Sequence, residues 1–103
     1  MSEAMKMRRD ISAIADCMPG DSVTIAGVVS SVCLHPADQA PSLEVEVADD
    51  SGHMTVVWLG RRQIPGIEAG RRIVVCGRMT HTADHPVIFN PKYQLRPLGD
   101  VDD

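Results

Sequence analysis

Residues 45–62 read VEVADDSGHMTVVWLGRR. Val45 and Val47 alternate with Glu44 and Glu46, a period of two that puts one side of an extended segment into a core and the other into water. The run Asp49, Asp50, Ser51, Gly52 then supplies a turn, because aspartate and serine side chains accept hydrogen bonds from nearby backbone and glycine tolerates positive φ. Alternation resumes at once: Met54, Val56 and Trp58 fall on one face, His53, Thr55, Val57 and Leu59 on the other. Two half-buried strands joined by a tight turn make an antiparallel hairpin, residues 42–48 and 53–59, with Arg61 and Arg62 where the chain leaves it.

Working outward, VTIAGVV opens a strand over residues 22–33, with Gly27 where a small barrel bends a strand sharply. Residues 35–41 form a polar loop bounded by prolines. Downstream, residues 60–70 contain Pro65-Gly66 and are too short for a long helix, so they form a connector. Residues 72–79 make a fourth strand in which Gly77 repeats the bend of Gly27; residues 80–86 make a loop, and residues 87–94 a fifth strand with Phe89 in the core. Met7, Ile11, Ile14, Ala15 and Met18 recur at three and four, predicting a short amphipathic helix over residues 5–18, stopped by Pro19-Gly20-Asp21. Five short strands, two mid-strand glycines and a long connector fit an all-β, five-stranded OB-fold Greek-key barrel with an N-terminal α-helix. A sandwich would need about seven strands.

At 103 residues the chain is sized for one domain. The expected division is helix and turn over 1–20, barrel over 22–95 and an acidic flexible tail over 97–103. No apolar run nears the roughly 20 residues of a membrane span, and Glu3, Lys6, Arg8 and Arg9 at the start do not make a secretory signal. A cytoplasmic protein without a membrane partner is expected, with Cys17, Cys33 and Cys76 as reduced thiols. His81 and His85 fall in a loop without a C-x-x-C pair, and Cys33, His35 and Cys76 share no ligand spacing, so neither metal nor other cofactor is expected. Asp49 and Asp50 are explained by their turn, and Ser30, Ser31 and Ser51 lack a nucleophile-elbow context. The expectation is a protein that is not an enzyme.

The net charge of −4 hides a segregation of sign. Residues 10–50 carry eight acidic side chains and no lysine or arginine, whereas residues 60–98 carry seven basic ones against Glu68 and Asp84. Barrels of this class bind oligonucleotides on one face. Arginine presents a fixed fork to phosphate oxygens, and aromatic rings offer stacking platforms for bases. The candidate nucleic-acid-binding residues are therefore Arg61, Arg62, Arg72, Arg78 and Lys92 for phosphates, with Trp58 and Tyr93 as stacking surfaces. With so few aromatics the expected binding is weak, to single-stranded or branched DNA or to RNA. The alternative is a protein-interaction barrel, homo-oligomer or adaptor, which the acidic first half and apolar helix would serve.

Gly27, the Asp49 to Gly52 turn, Gly70-Arg71-Arg72-Ile73-Val74 and Phe89-Asn90-Pro91-Lys92-Tyr93 together resemble the OB-type domain shared with tRNA anticodon-binding modules. The pattern is most similar to the wedge domain of RecG-type helicases, over about residues 22–95. The resemblance implies an OB barrel that contacts nucleic acid. The chain lacks the G-x-x-x-x-G-K-[ST] phosphate loop of the helicase motor, so ATP hydrolysis by that route is not implied.

Overall fold

The computed structural model describes residues 11–36, 40–82 and 85–96, apart from the side chains of 81 and 82. Six strands make up the sheet: β1 (Ser22–His35), β2 (Ser42–Asp49), β3 (Gly52–Leu59), β4 (Arg72–Thr82), β5 (His85–Phe89) and β6 (Lys92–Leu95). Neighbours run β1-β2-β3-β5-β4, and β4 returns to pair with β1, closing the barrel. All pairings are antiparallel except β3 with β5. β5 and β6 are halves of one interrupted fifth strand, both laid along β4.

The hairpin read from residues 45–62 sets the interior. Leu43 opposes Trp58, Val45 opposes Val56 and Val47 opposes Met54, and all six are buried. Ile25, Val29, Ile73, Val75, Met79 and Ile88 complete the core from the other strands, while Ile64 and Ile67 of the 60–71 connector plug one end. β1 serves two partners in turn. Its first half pairs with β4 as far as Val28 opposite Arg72, and its second half pairs with β2 from Val28 opposite Ala48. At the crossover a Cβ on Gly27 would lie 2.5 Å from the Ala48 carbonyl oxygen and 2.8 Å from Val47 Cγ1. Backbone oxygen cannot retreat cheaply, so the close approach demands glycine. A register shift between Val29 and Ser31 follows immediately, a bulge that adds to the bend.

Four sequence expectations need correction. The described part of the N-terminal segment is not an α-helix: it holds one 3-10 turn, Ile14–Asp16, and residues 5–10 of the expected helix lie outside the described residues. Ser12 N–H donates to the Thr24 carbonyl (2.8 Å), Ile14 N–H to Asp49 Oδ2 (3.0 Å) and Ala15 N–H to Ser51 Oγ (2.9 Å). Those amides are bound to the barrel, so an i to i−4 ladder has nothing to use, and of the apolar stripe Ile14 is buried while Ile11 and Met18 are exposed. The 80–86 loop is shorter than expected, since β4 and β5 zip up to Thr82 opposite His85. The last strand breaks at Asn90, which takes φ 52° ahead of Pro91. Phe89 is not in the core but 45% exposed. The expected acidic tail, 97–103, falls outside the described residues.

Candidate nucleic-acid interface

The outer surface of the barrel around the end of β3 collects exposed apolar and cationic side chains. Val57 and Phe89 are directly opposed across the β3–β5 pair and so share a face. Ile88, the neighbour of Phe89, is fully buried, which places Phe89 on the outside. Leu59, two residues beyond Val57, lies on that face and is 55% exposed. Asn90 ties the two strand ends together: its N–H donates to the Val57 carbonyl (2.7 Å), and its Oδ1 accepts from the Leu59 N–H (2.9 Å). Asparagine suits this position because its short polar side chain tolerates the left-handed region.

Cationic side chains lie around this apolar spot. Gly60 turns the chain out of β3 at φ 77°, its N–H held by the Pro41 carbonyl (2.7 Å), and Arg61 and Arg62, which follow it, are exposed. β4 runs next to β5. Met79 opposes Ile88 and faces inward, so Arg78 points outward beside the Phe89 position. Lys92 opposes Cys76 and lies on the outer face as well. Across adjacent strands spaced about 4.8 Å apart, Leu59 ends β3 just before Arg61 and Arg62, Phe89 and Lys92 follow on β5 and β6, and Arg78 is on β4. Arg78 also donates from Nη1 to the Gly20 carbonyl (3.3 Å), which steadies it without burying it.

Arg72 does not join this group. It is six residues before Arg78 on the same face of β4, about 20 Å away along the strand. There it lines a cleft of about 440 Å³ with Arg96, Asp49, Asp50 and Gly27. Acidic and basic halves of the sequence meet in that cleft, so their fields partly cancel. Arg71 belongs to the scaffold, its Nε donating to the Arg96 carbonyl (2.9 Å) and its Nη1 to that of Gly66 (3.3 Å).

Of the two expected stacking surfaces Trp58 is buried and Tyr93 is exposed. Trp58 is 5% exposed, since alternation turns it inward with Met54 and Val56, and its indole N–H donates to the Pro91 carbonyl (3.3 Å). It has no open face for a base. Tyr93 is 37% exposed and packs edge-on against Trp58, ring centroids 5.5 Å apart at 77°. Phe89, missed in the sequence, is the more open ring. The signal was Asn90-Pro91, a dipeptide that punctuates strands and ends the alternation that would keep Val87-Ile88-Phe89 in one buried run.

Catalytic chemistry finds no support around the Asp49 turn. The Asp49 carboxylate accepts from Ser51 N–H and Oγ and from Gly52 N–H as well as from Ile14. Burial pushes its pKa up, but the Ser51 hydroxyl and the three backbone donors outweigh that and leave it below the ordinary carboxylate value. Burial, then Asp21, Asp16 and Asp49, raise the Cys17 thiol, keeping it protonated. His35 is beside Glu44 at 3.4 Å.

No protein-family model matches the chain, and no curated protein sequence is significantly similar to it. Solved structures are similar in shape. The p204 HINb domain superposes with a TM-score of 0.68 at 20% identity, over 93% of this chain and 52% of that one. RecG bound to a three-way DNA junction gives 0.70 at 22% identity, over 85% of this chain and 13% of RecG. The second OB-fold domain of replication protein A from Methanococcus maripaludis gives 0.62 at 15% identity, over 89% and 98%. The chain thus spans half of the HINb chain, a small part of RecG and nearly the whole of a free-standing OB domain. By its strand order, closure and neighbours this chain is an OB-fold barrel.

Proposed function

We propose that the protein is a non-enzymatic nucleic-acid-binding barrel that holds single-stranded or branched nucleic acid weakly on the outer surface of β3, β5 and β4. The observation that carries this is Phe89, 45% exposed near Leu59, with Arg61 and Arg62 just past the end of β3, Lys92 further along its own interrupted strand and Arg78 on the neighbouring β4. A base stacked on Phe89 has phosphates of its own strand within reach of these cations, the pairing of platform and charge that sequence-tolerant single-strand binding uses. Few exposed rings keep the affinity low. Solved neighbours support the reading, one being bound to a DNA junction and another belonging to replication protein A. Three free thiols fit a reducing compartment, the cytoplasm, and no described helix is long and apolar enough to cross a membrane.

Fluorescence anisotropy with labelled single strands, forked DNA and RNA tests it. Contacts to about four phosphates of a single strand predict a log Kd against log salt slope near 3 in magnitude, falling by about 1.4 in Arg61→Ala/Arg62→Ala. Absence of saturable binding at low salt for every substrate refutes the proposal.

A further inference from the structure

Beyond Val29, β1 leaves its partner β4. Val29 N–H still reaches the Arg71 carbonyl (2.9 Å) and Gly70 N–H reaches Val29 (2.8 Å), after which residues 30–35 pair with β2 on one side only. All six are exposed, including Val32 at 39% and Leu34 at 43%. Among the described residues nothing pairs with their other edge. The result is about 20 Å of unpaired strand backbone, a template for another strand. Proteins that keep such edges single guard them with lysine, proline or inward charge. The run Ser30, Ser31, Val32, Cys33, Leu34, His35 has no lysine, arginine, aspartate, glutamate or proline.

We propose that this edge pairs antiparallel with the same edge of a second copy of the chain, in a register centred on Cys33. A two-fold axis perpendicular to the sheet opposes residues of one face only, so a residue must sit on the axis. With Cys33 there, Val32 faces Leu34 of the second copy and Leu34 faces its Val32, joining the exposed apolar side chains of both inner faces. Ser31 then faces His35. The uncharged edge gives a second copy no repulsion at the contact. Among the described residues the acidic side chains opposite the axis, Glu44 of each copy on β2, end up three strand spacings apart, about 14 Å and beyond a Debye length of about 8 Å. The 60–71 connectors, which meet β1 at Val29, clear the paired stretch. This inference uses a different surface from the nucleic-acid reading and stands or falls separately.

Sedimentation equilibrium of the full chain over micromolar to millimolar concentration is expected to show reversible association from 11.2 kDa to twice that mass. Val32→Lys/Leu34→Lys, with folding verified by far-UV circular dichroism, is expected to weaken association at least tenfold. Opposed residues of an antiparallel pair have Cα atoms about 4.5–5.5 Å apart, inside the range a disulfide spans. Diamide, taking up two electrons and two protons from two thiols, is therefore expected to cross-link wild type through Cys33 and not Cys17 or Cys76, as read by peptide mapping. Cys33→Ser loses the cross-link and keeps the dimer. A monomer at every concentration overturns the proposal: if the amides of residues 30–35 are protected from exchange, another part of the chain covers the edge, and if they are not, the edge stays open. A dimer indifferent to the lysine pair and without the Cys33 cross-link overturns it as well, placing the contact elsewhere.

Discussion

Phe89 and its neighbours separate stability from binding one side chain at a time. Ile88 is fully buried and Trp58 nearly so, whereas Phe89 is 45% exposed. Ile88→Ala is expected to cost about 2–5 kcal/mol of unfolding free energy and Trp58→Ala about 3–5 kcal/mol. Phe89→Ala is expected to cost under about 1 kcal/mol in urea denaturation, yet to lose about 1–3 kcal/mol of single-strand binding. If Phe89→Ala unfolds like Ile88→Ala, its assignment to the surface is wrong. Asp49 makes a second residue-scale prediction through its lowered pKa. A carboxyl whose folded value is below its unfolded value adds stability that is present above about pH 4 and disappears as the pH falls through the folded value. Wild type is therefore expected to lose stability on acidification more steeply than Asp49→Asn, which starts less stable at neutral pH; parallel profiles would mean that the four hydrogen bonds to Asp49 contribute no pH dependence.

At the scale of elements, the hairpin was legible and the chain ends were not, for a physical reason. β2 alternates between buried and half-buried side chains, and β3 repeats its inward set even though Thr55 and Val57 on its other face are also buried, so Val45, Val47, Met54, Val56 and Trp58 declare their side in the sequence. Ile11, Ile14 and Met18 have helical spacing, but the segment's amides donate instead to Thr24, Asp49 and Ser51, 12, 35 and 36 residues along the chain. Periodicity cannot register a tertiary partner. The interrupted fifth strand failed similarly: Val87 faces outward and is still 4% exposed, which makes Val87-Ile88-Phe89 look uniformly buried. The cationic candidates were legible as residue types but not as a group, because only the register sets Phe89 beside Arg78 and leaves Arg72 at the far end of β4.

Across the whole molecule, closure of β1 on β4 brings the acidic and basic halves of the sequence together and leaves the surface around Phe89 as a local cationic patch on a chain of net charge −4. Under the proposed function such a protein would hold nucleic acid through short-range contacts rather than long-range attraction, so salt should act mainly through the few phosphates engaged. The test that addresses this site most directly is a ¹⁵N–¹H correlation spectrum titrated with a short unlabelled oligothymidine at low salt. The account predicts shifts that saturate together and cluster on Leu59, Arg61, Arg62, Arg78, Phe89, Asn90 and Lys92, with the amides lining the Ala26 and Arg72 cleft unmoved. Shifts confined to that cleft, or to residues 30–35, would contradict it.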